Sequence, residues 1–125
     1  MEKKVLIGTV IISIVLIVGV IFFLGGQNTN RKYDQFAKCL REKGAIFYGA
    51  FWCPHCQNQK KLFGSSEQYL PYIECSTADG KGQLQACGDK HISGYPTWEF
   101  KNGERKSGEV SLEDLAQKTS CQLPE

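Results

Sequence analysis

Hydrophobic and polar positions divide this chain into two unequal parts. Residues 5–24 run without a single charged side chain; Ile, Val and Leu dominate, and Thr9 and Ser13 are the only hydroxyls. An α-helix rises about 1.5 Å per residue, so ~20 residues reach roughly 30 Å, the thickness of a bilayer's hydrocarbon core. A cleavable leader would carry about 7–15 apolar residues and then small ones. Here Phe22, Phe23 and Leu24 occupy that place. The pattern predicts an uncleaved membrane-spanning helix over residues 1–24, with a cleaved leader and a buried core helix as the alternatives.

Beyond this run the periodicity changes repeatedly. Residues 25–32 are polar and glycine-containing and read as a flexible linker. From residue 33 the pattern is that of a compact domain reaching about residue 123. Phe36, Cys39, Leu40 and Lys43 recur at helical spacing, and Gly44 stops that helix. Residues 45–50 form a short apolar run of the buried-strand kind. Pro54 opens a helix to Phe63, closed by Gly64. Residues 72–75 read as a strand, residues 76–82 as turns, and residues 83–87 as a short helix. Residues 97–100 alternate as a strand, Asn102-Gly103 makes a hairpin turn, and residues 104–107 return. Ser111 to Asp114 is a capping signal for a last helix to about Thr119. The predicted order, αβαβαββα, is that of an α/β domain with a central mixed sheet flanked by helices.

Composition narrows the function. Hydrophobic residues at 42% and charged residues at 22% are ordinary for a folded protein and exclude disorder. A net charge of +2, with no run of Lys or Arg longer than two, gives no footprint for nucleic acid. All six cysteines follow the apolar run. Such density in a small domain suits an oxidising compartment, where cross-links supplement a modest core. Lys3 and Lys4 precede the run, whereas Arg31, Lys32 and Lys38 follow an uncharged flank. Positive charge alone does not orient the segment. The cysteines tip the expectation to a cytoplasmic N-terminus and an extracytoplasmic domain close to the membrane.

The chemistry-bearing motif is Trp52-Cys53-Pro54-His55-Cys56, between an apolar strand and a helix. One helical turn brings the two sulfurs within bonding reach, and a Cys-x-x-C in this setting signals a redox-active dithiol. Cys53 falls at the helix N-terminus, where unpaired N–H groups and the helix dipole favour an anion. The thiolate is the attacking form, so this placement marks Cys53 as nucleophile and Cys56 as resolving cysteine. His55 is expected to tune the thiolate further. Stabilising the reduced form makes the disulfide a better oxidant. A zinc site would need two more ligands from Cys75, Cys87 or His91, with no second Cys-x-x-Cys in the chain; no metal and no cofactor are expected. Trp52 reads equally as a packing lid and a substrate contact.

The stretch from about residue 45 to 120 resembles the thioredoxin fold. Trp-Cys-x-x-Cys is one marker; Gly94-Tyr95-Pro96-Thr97, followed by an apolar strand and Lys101-Asn102-Gly103-Glu104, is the other. The resemblance implies that Pro96 is cis, facing the dithiol, and that Trp52, Tyr95 and Pro96 line a surface where substrate chains pair by main-chain hydrogen bonds. Pro-His inside the motif is similar to that of DsbA-type periplasmic oxidases. Residues 48–56, 59–64, 72–75 and 94–98 together resemble the thioredoxin-like domain of bacterial vitamin K epoxide reductase homologues. That resemblance implies a quinone-reducing membrane oxidoreductase as partner, here a separate protein. One departure stands out: most thioredoxins place a buried carboxylate six residues before the first cysteine, and here Phe47 occupies that position. Proton exchange then falls to another group, such as water or His55.

Cys39, Cys75, Cys87 and Cys121 allow three pairings. Cys75–Cys87, tying a strand end to the next helix, is favoured, which leaves Cys39–Cys121. In the simple thioredoxin layout the first and last helices lie on opposite faces, so that second pair needs the tail to wrap. A second redox relay through Cys75 and Cys87 is the alternative role. The expected function is a membrane-anchored extracytoplasmic thiol–disulfide oxidoreductase acting on protein thiols and disulfides, in the oxidising direction. A reductase or isomerase of protein disulfides, or a metal-binding or substrate-docking module, are the alternatives.

Overall fold

The computed structural model describes residues 1–25 and 31–125, without the side chains of residues 2–6, 8, 9 and 21–25. Helix α1 spans Glu2–Gly25. Its described side chains are those of residues 7 and 10–20, all exposed. Among the described residues, no helix is long and apolar enough to cross a membrane. The expected linker, residues 25–32, falls mostly on residues 26–30, outside the described residues.

The rest of the chain builds helix α2 (Asp34–Glu42), strand β1 (Ile46–Gly49), helix α3 (Pro54–Lys61), a 3-10 turn (Gly64–Tyr69), strand β2 (Tyr72–Glu74), a short helix α4 (Gln85–Gly88), strands β3 (Thr97–Glu99) and β4 (Arg105–Ser107), and helix α5 (Leu112–Thr119). The sheet order is β2-β1-β3-β4. β1 runs parallel to β2 and antiparallel to β3, which pairs antiparallel with β4. The mixed four-stranded sheet with its flanking helices is the expected α/β architecture. Gly103, at φ +82°, takes the left-handed position that lets the β3–β4 hairpin reverse.

Side chains alternate across a strand, and β1 uses that alternation to serve two cores. Phe47 points into the larger one, with Phe36, Ala37 and Leu40 of α2, Cys56 of α3, Phe63, Trp98 and Leu115 of α5. Its ring stacks on Trp98 at 4.9 Å. Tyr48 points to the opposite face, against Cys75, Cys87 and Ile92. Burying each such side chain contributes about 1.5–3 kcal/mol.

Both cross-links lie on these cores. Cys75–Cys87 ties the end of β2 to α4, and Cys39–Cys121 ties α2 to the residue after the left-handed cap Ser120 of α5. The expectation that α2 and α5 occupy opposite faces is corrected: their apolar residues share one core, so no wrapped tail is needed. Element boundaries differ as well: the short helix expected over residues 83–87 lies at Gln85–Gly88. The helix opened by Pro54 ends at Lys61 rather than Phe63. Residues 64–69, for which the sequence predicts no element, form the 3-10 turn, held where buried Ser66 donates to Asp34 at 2.7 Å.

One polar residue fixes α3 against the rest. Gln59 is fully buried; its Nε2 donates to the Val110 carbonyl at 2.9 Å, and its Oε1 accepts from the Val110 N–H at 2.7 Å. Gln59→Leu keeps the volume and orphans both backbone groups. It should cost roughly 2–4 kcal/mol in urea denaturation; a loss under about 0.5 kcal/mol would mean that the clamp is dispensable.

Candidate active site

Cys53 leaves β1 with extended dihedrals (φ −78°, ψ 117°) and stands as the N-cap of α3, with Pro54 at the first helical position. Proline suits that place because its missing N–H would be unpaired there in any case. A cap side chain accepts a hydrogen bond from the first turn, and here the acceptor is sulfur: the Cys56 N–H donates to Cys53 Sγ at 3.2 Å. Cys53 and Cys56 are free thiols, both buried, with sulfurs 2.6 Å apart. A disulfide needs about 2.05 Å, so closure requires little movement.

The Tyr95–Pro96 peptide is cis. The Tyr95 carbonyl faces Cys53 Sγ at 3.7 Å. Trp52 is 51% exposed and meets the Tyr95 ring edge-on at 6.0 Å. Its indole Nε1 donates to Ser76 Oγ at 2.8 Å, and Gly80, at φ +72°, passes against the indole edge where a Cβ would sit 3.5 Å away. Gln83 donates to the Tyr95 hydroxyl at 2.7 Å. Trp52, Cys53, Tyr95 and Pro96 are thus brought together. Phe51, 48% exposed, adds apolar surface beside them.

His55 is placed differently. It is 70% exposed, and its Nδ1 hydrogen-bonds Glu109 Oε1 at 2.7 Å. The same oxygen accepts from Asn58, and these bonds hold the Glu109 carboxyl below the usual carboxylate range. Among the described residues no hydrogen bond joins His55 to either sulfur.

Several site residues escaped the sequence patterns. A Cβ on Gly49 would stand 2.7 Å from the Tyr72 ring and 3.1 Å from Cys56 Sγ, so a side chain there would have to displace the tyrosine from beside the sulfur. Tyr72 and Glu74 sit two apart on β2, hence on one face; the Tyr72 hydroxyl donates to Glu74 Oε2 at 2.7 Å. Their spacing was the available signal, although the pairing of β2 with β1 was needed to aim it. Cys75 and Cys87, joined to each other, are not open as metal ligands. Among the described residues no cluster of three or more His, Cys, Asp or Glu could hold a metal.

Burial pushes the Cys56 thiol up from 9.0 to about 12, and its hydrogen bond with Cys53 adds to the rise. Folding therefore favours the neutral thiol. That stabilisation is complete below about pH 9 and is lost as pH rises toward about 12. The reduced protein should lose stability between about pH 7 and about pH 10 by more than the oxidised protein, whose bonded sulfurs do not titrate. Urea midpoints of both forms check this; parallel curves would contradict the burial of Cys56.

No family model matches the chain. It is 44% identical over 91 residues to the thiol-disulfide oxidoreductase LTO1 of Arabidopsis thaliana, covering 70% of this chain and 24% of that protein. To thioredoxin domain-containing protein 2 of Mus musculus it is 31% identical over 85 residues, covering 62% of this chain and 16% of the relative. The chain thus spans a quarter or less of these curated relatives. The crystal structure of oxidised thioredoxin O2 from Arabidopsis thaliana overlaps 70% of this chain and 85% of its own, at 19% identity and a TM-score of 0.37. The chain is therefore similar in sequence to a part of a thiol-disulfide oxidoreductase and to a part of a thioredoxin domain-containing protein.

Proposed function

We propose that this chain is a membrane-anchored, extracytoplasmic thiol–disulfide oxidoreductase that oxidises protein dithiols through Cys53 and Cys56. The observation that carries it is the Cys53 sulfur, which caps α3 under the Cys56 N–H and faces the Tyr95 carbonyl. The Cys56 N–H and the helix N-terminus aimed at this sulfur suit it to attack and to leave, while the Tyr95 carbonyl accepts from its neutral S–H. In the oxidising cycle a substrate thiolate attacks Cys53 Sγ of the closed disulfide. The Cys53–Cys56 bond breaks, Cys56 leaves and takes a proton, and a mixed disulfide forms on Cys53. A second substrate thiolate attacks the substrate sulfur of that bond, releasing Cys53 as thiolate and the substrate as disulfide. Two electrons now rest on the dithiol. A quinone-reducing membrane oxidoreductase of the kind that accompanies vitamin K epoxide reductase homologues would accept them and restore the bond.

The half-buried Tyr95 beside cis Pro96 suits an extended substrate segment pairing by main-chain hydrogen bonds, with Trp52 covering its flank. The Cys-Pro-His-Cys motif, similar to that of periplasmic oxidases, favours the oxidising direction over reduction or isomerisation. The anchor is supported by α1 itself. Ile11, Ile12, Val15 and Leu16 are each more than half exposed, an apolar surface that water disfavours and a bilayer covers.

Trapping tests the roles of the two sulfurs. Cys56→Ala should accumulate mixed disulfides with client proteins through Cys53, seen as reductant-sensitive bands on non-reducing gels, whereas Cys53→Ala should accumulate none. Equal trapping by both variants would overturn the assignment. The anchored arrangement predicts that the full chain stays with membranes after alkaline carbonate washing and that its folded domain is reached by protease from the extracytoplasmic side. Release by carbonate, or protection from that side, would remove the anchor from the proposal.

A further inference from the structure

Cys56 changes protonation in every cycle, since it leaves as a thiolate when the disulfide opens and attacks as one when it closes. Its sulfur is fully buried. The position of the usual buried carboxylate is filled by Phe47, whose ring is committed to the stack with Trp98. His55 is turned to Glu109 on the exposed side. The proton needs another route.

The neighbourhood of Gly49 supplies one. The point where a Gly49 Cβ would stand lies 3.1 Å from Cys56 Sγ, 2.7 Å from the Tyr72 ring edge and 3.4 Å from the Tyr72 hydroxyl, so the tyrosine borders the buried sulfur. That hydroxyl donates to Glu74 Oε2 at 2.7 Å. The other carboxylate oxygen accepts from the N–H groups of Ser76 at 2.8 Å and Phe51 at 3.2 Å. Glu74 is thereby locked to both the β2 end and the loop leading into the dithiol. Lys60 of α3 lies over the Tyr72 ring, 3.6 Å from its centroid. A groove of about 390 Å³ opens on the outer side of Tyr72, lined by Arg41, Lys60 and Glu67 among others. The titratable and charged groups around this sulfur and phenol are thus Cys53, Lys60, Tyr72 and Glu74, with Arg41 and Glu67 at the groove.

We propose that Tyr72 and Glu74 form the proton-exchange pair of the resolving cysteine, replacing the carboxylate that Phe47 displaces. When Cys56 attacks the mixed disulfide on Cys53, its proton passes to the Tyr72 oxygen as the Tyr72 proton passes to Glu74. The net change is thiol plus carboxylate to thiolate plus carboxylic acid, and no electrons move in this step. When Cys56 leaves during disulfide opening, the same path returns the proton. Tyr72 is the group beside the reacting sulfur; Glu74 positions it and stores the proton. Burial and the Glu74 contact both push the Tyr72 hydroxyl above its ordinary 10.0, which keeps it protonated as the relay requires. The proposal rests on the oxidoreductase function given above.

The test follows the two thiol steps separately in the reduced full chain, held in detergent and mixed with dithiobis(nitrobenzoate). The first release of thionitrobenzoate reports attack by Cys53; the second reports attack by Cys56 on the mixed disulfide. Tyr72→Phe and Glu74→Gln should leave the first release within about twofold of the unsubstituted chain and slow the second by about tenfold or more near neutral pH. The gap should narrow toward alkaline pH, where hydroxide takes the proton instead. A second release within about twofold in both variants would overturn the proposal, and so would slowing by one factor at every pH, the signature of a merely structural role. If Glu74→Gln also loses the first release, its backbone contacts have failed and Tyr72→Phe decides alone. Failure of the unsubstituted chain to give a first release would instead sink the oxidoreductase function, and this inference with it.

Discussion

Helix α3 begins one residue after Cys53, and the Cys56 N–H therefore ends on the Cys53 sulfur at 3.2 Å. That single capping bond divides the labour between two chemically identical side chains. The N-cap sulfur meets the positive end of a helix, an interaction worth about 0.3–1 kcal/mol at an exposed site and up to ~2 kcal/mol when partly buried. The sulfur one turn on lies inside the core, where burial opposes charge and pushes its thiol up to about 12. Neither effect needs an unusual residue. Both follow from where the strand stops and the helix starts.

The surroundings hold that junction in place. β1 is a central strand, braced by β2 on one edge and β3 on the other, and its alternation sends Phe47 and Tyr48 into separate cores. Gln59 fastens the next turn of α3 to Val110. The two disulfides brace opposite sides: Cys39–Cys121 joins α2 to the end of α5, and Cys75–Cys87 joins β2 to α4. In the loop-entropy picture the shorter link, across a separation of 12 residues, is worth on the order of 3 kcal/mol, and the longer one somewhat more. The loop that carries Trp52 toward Tyr95 is thus mounted on a rigid frame, while Phe51 and Trp52 stay open to a partner.

Much of this fold could be read along the chain because the strong signals are local. Pro54 after Cys53, the Asn102-Gly103 turn and the Ser111 cap each act within a few residues, and the helices and strands fall near those markers. Signals that depend on tertiary contact were not visible. The polar stretch of residues 64–69 shows no periodicity, and its 3-10 turn depends on Ser66 meeting Asp34 from 32 residues away. The shared face of α2 and α5 follows from their common core rather than from either sequence. At the site, Cys53, Cys56, Tyr95 and Pro96 stood out by motif. Gly49, Tyr72 and Glu74 did not, since a glycine's empty side and a tyrosine's reach acquire meaning only once β2 lies parallel to β1. His55 sat inside the motif yet turns outward to Glu109, a residue 54 positions later.

The division between the two sulfurs is tested most directly by competition for an alkylating reagent. Reduced, folded chain is treated near neutral pH with less than one equivalent of iodoacetamide, and the label is mapped by mass spectrometry. Capping of α3 by Cys53 and burial of Cys56 predict that the label falls on Cys53 and reaches Cys56 only after denaturation. Equal labelling of the two sulfurs in the folded chain, or preferential labelling of Cys56, would contradict the assignment of Cys53 as nucleophile.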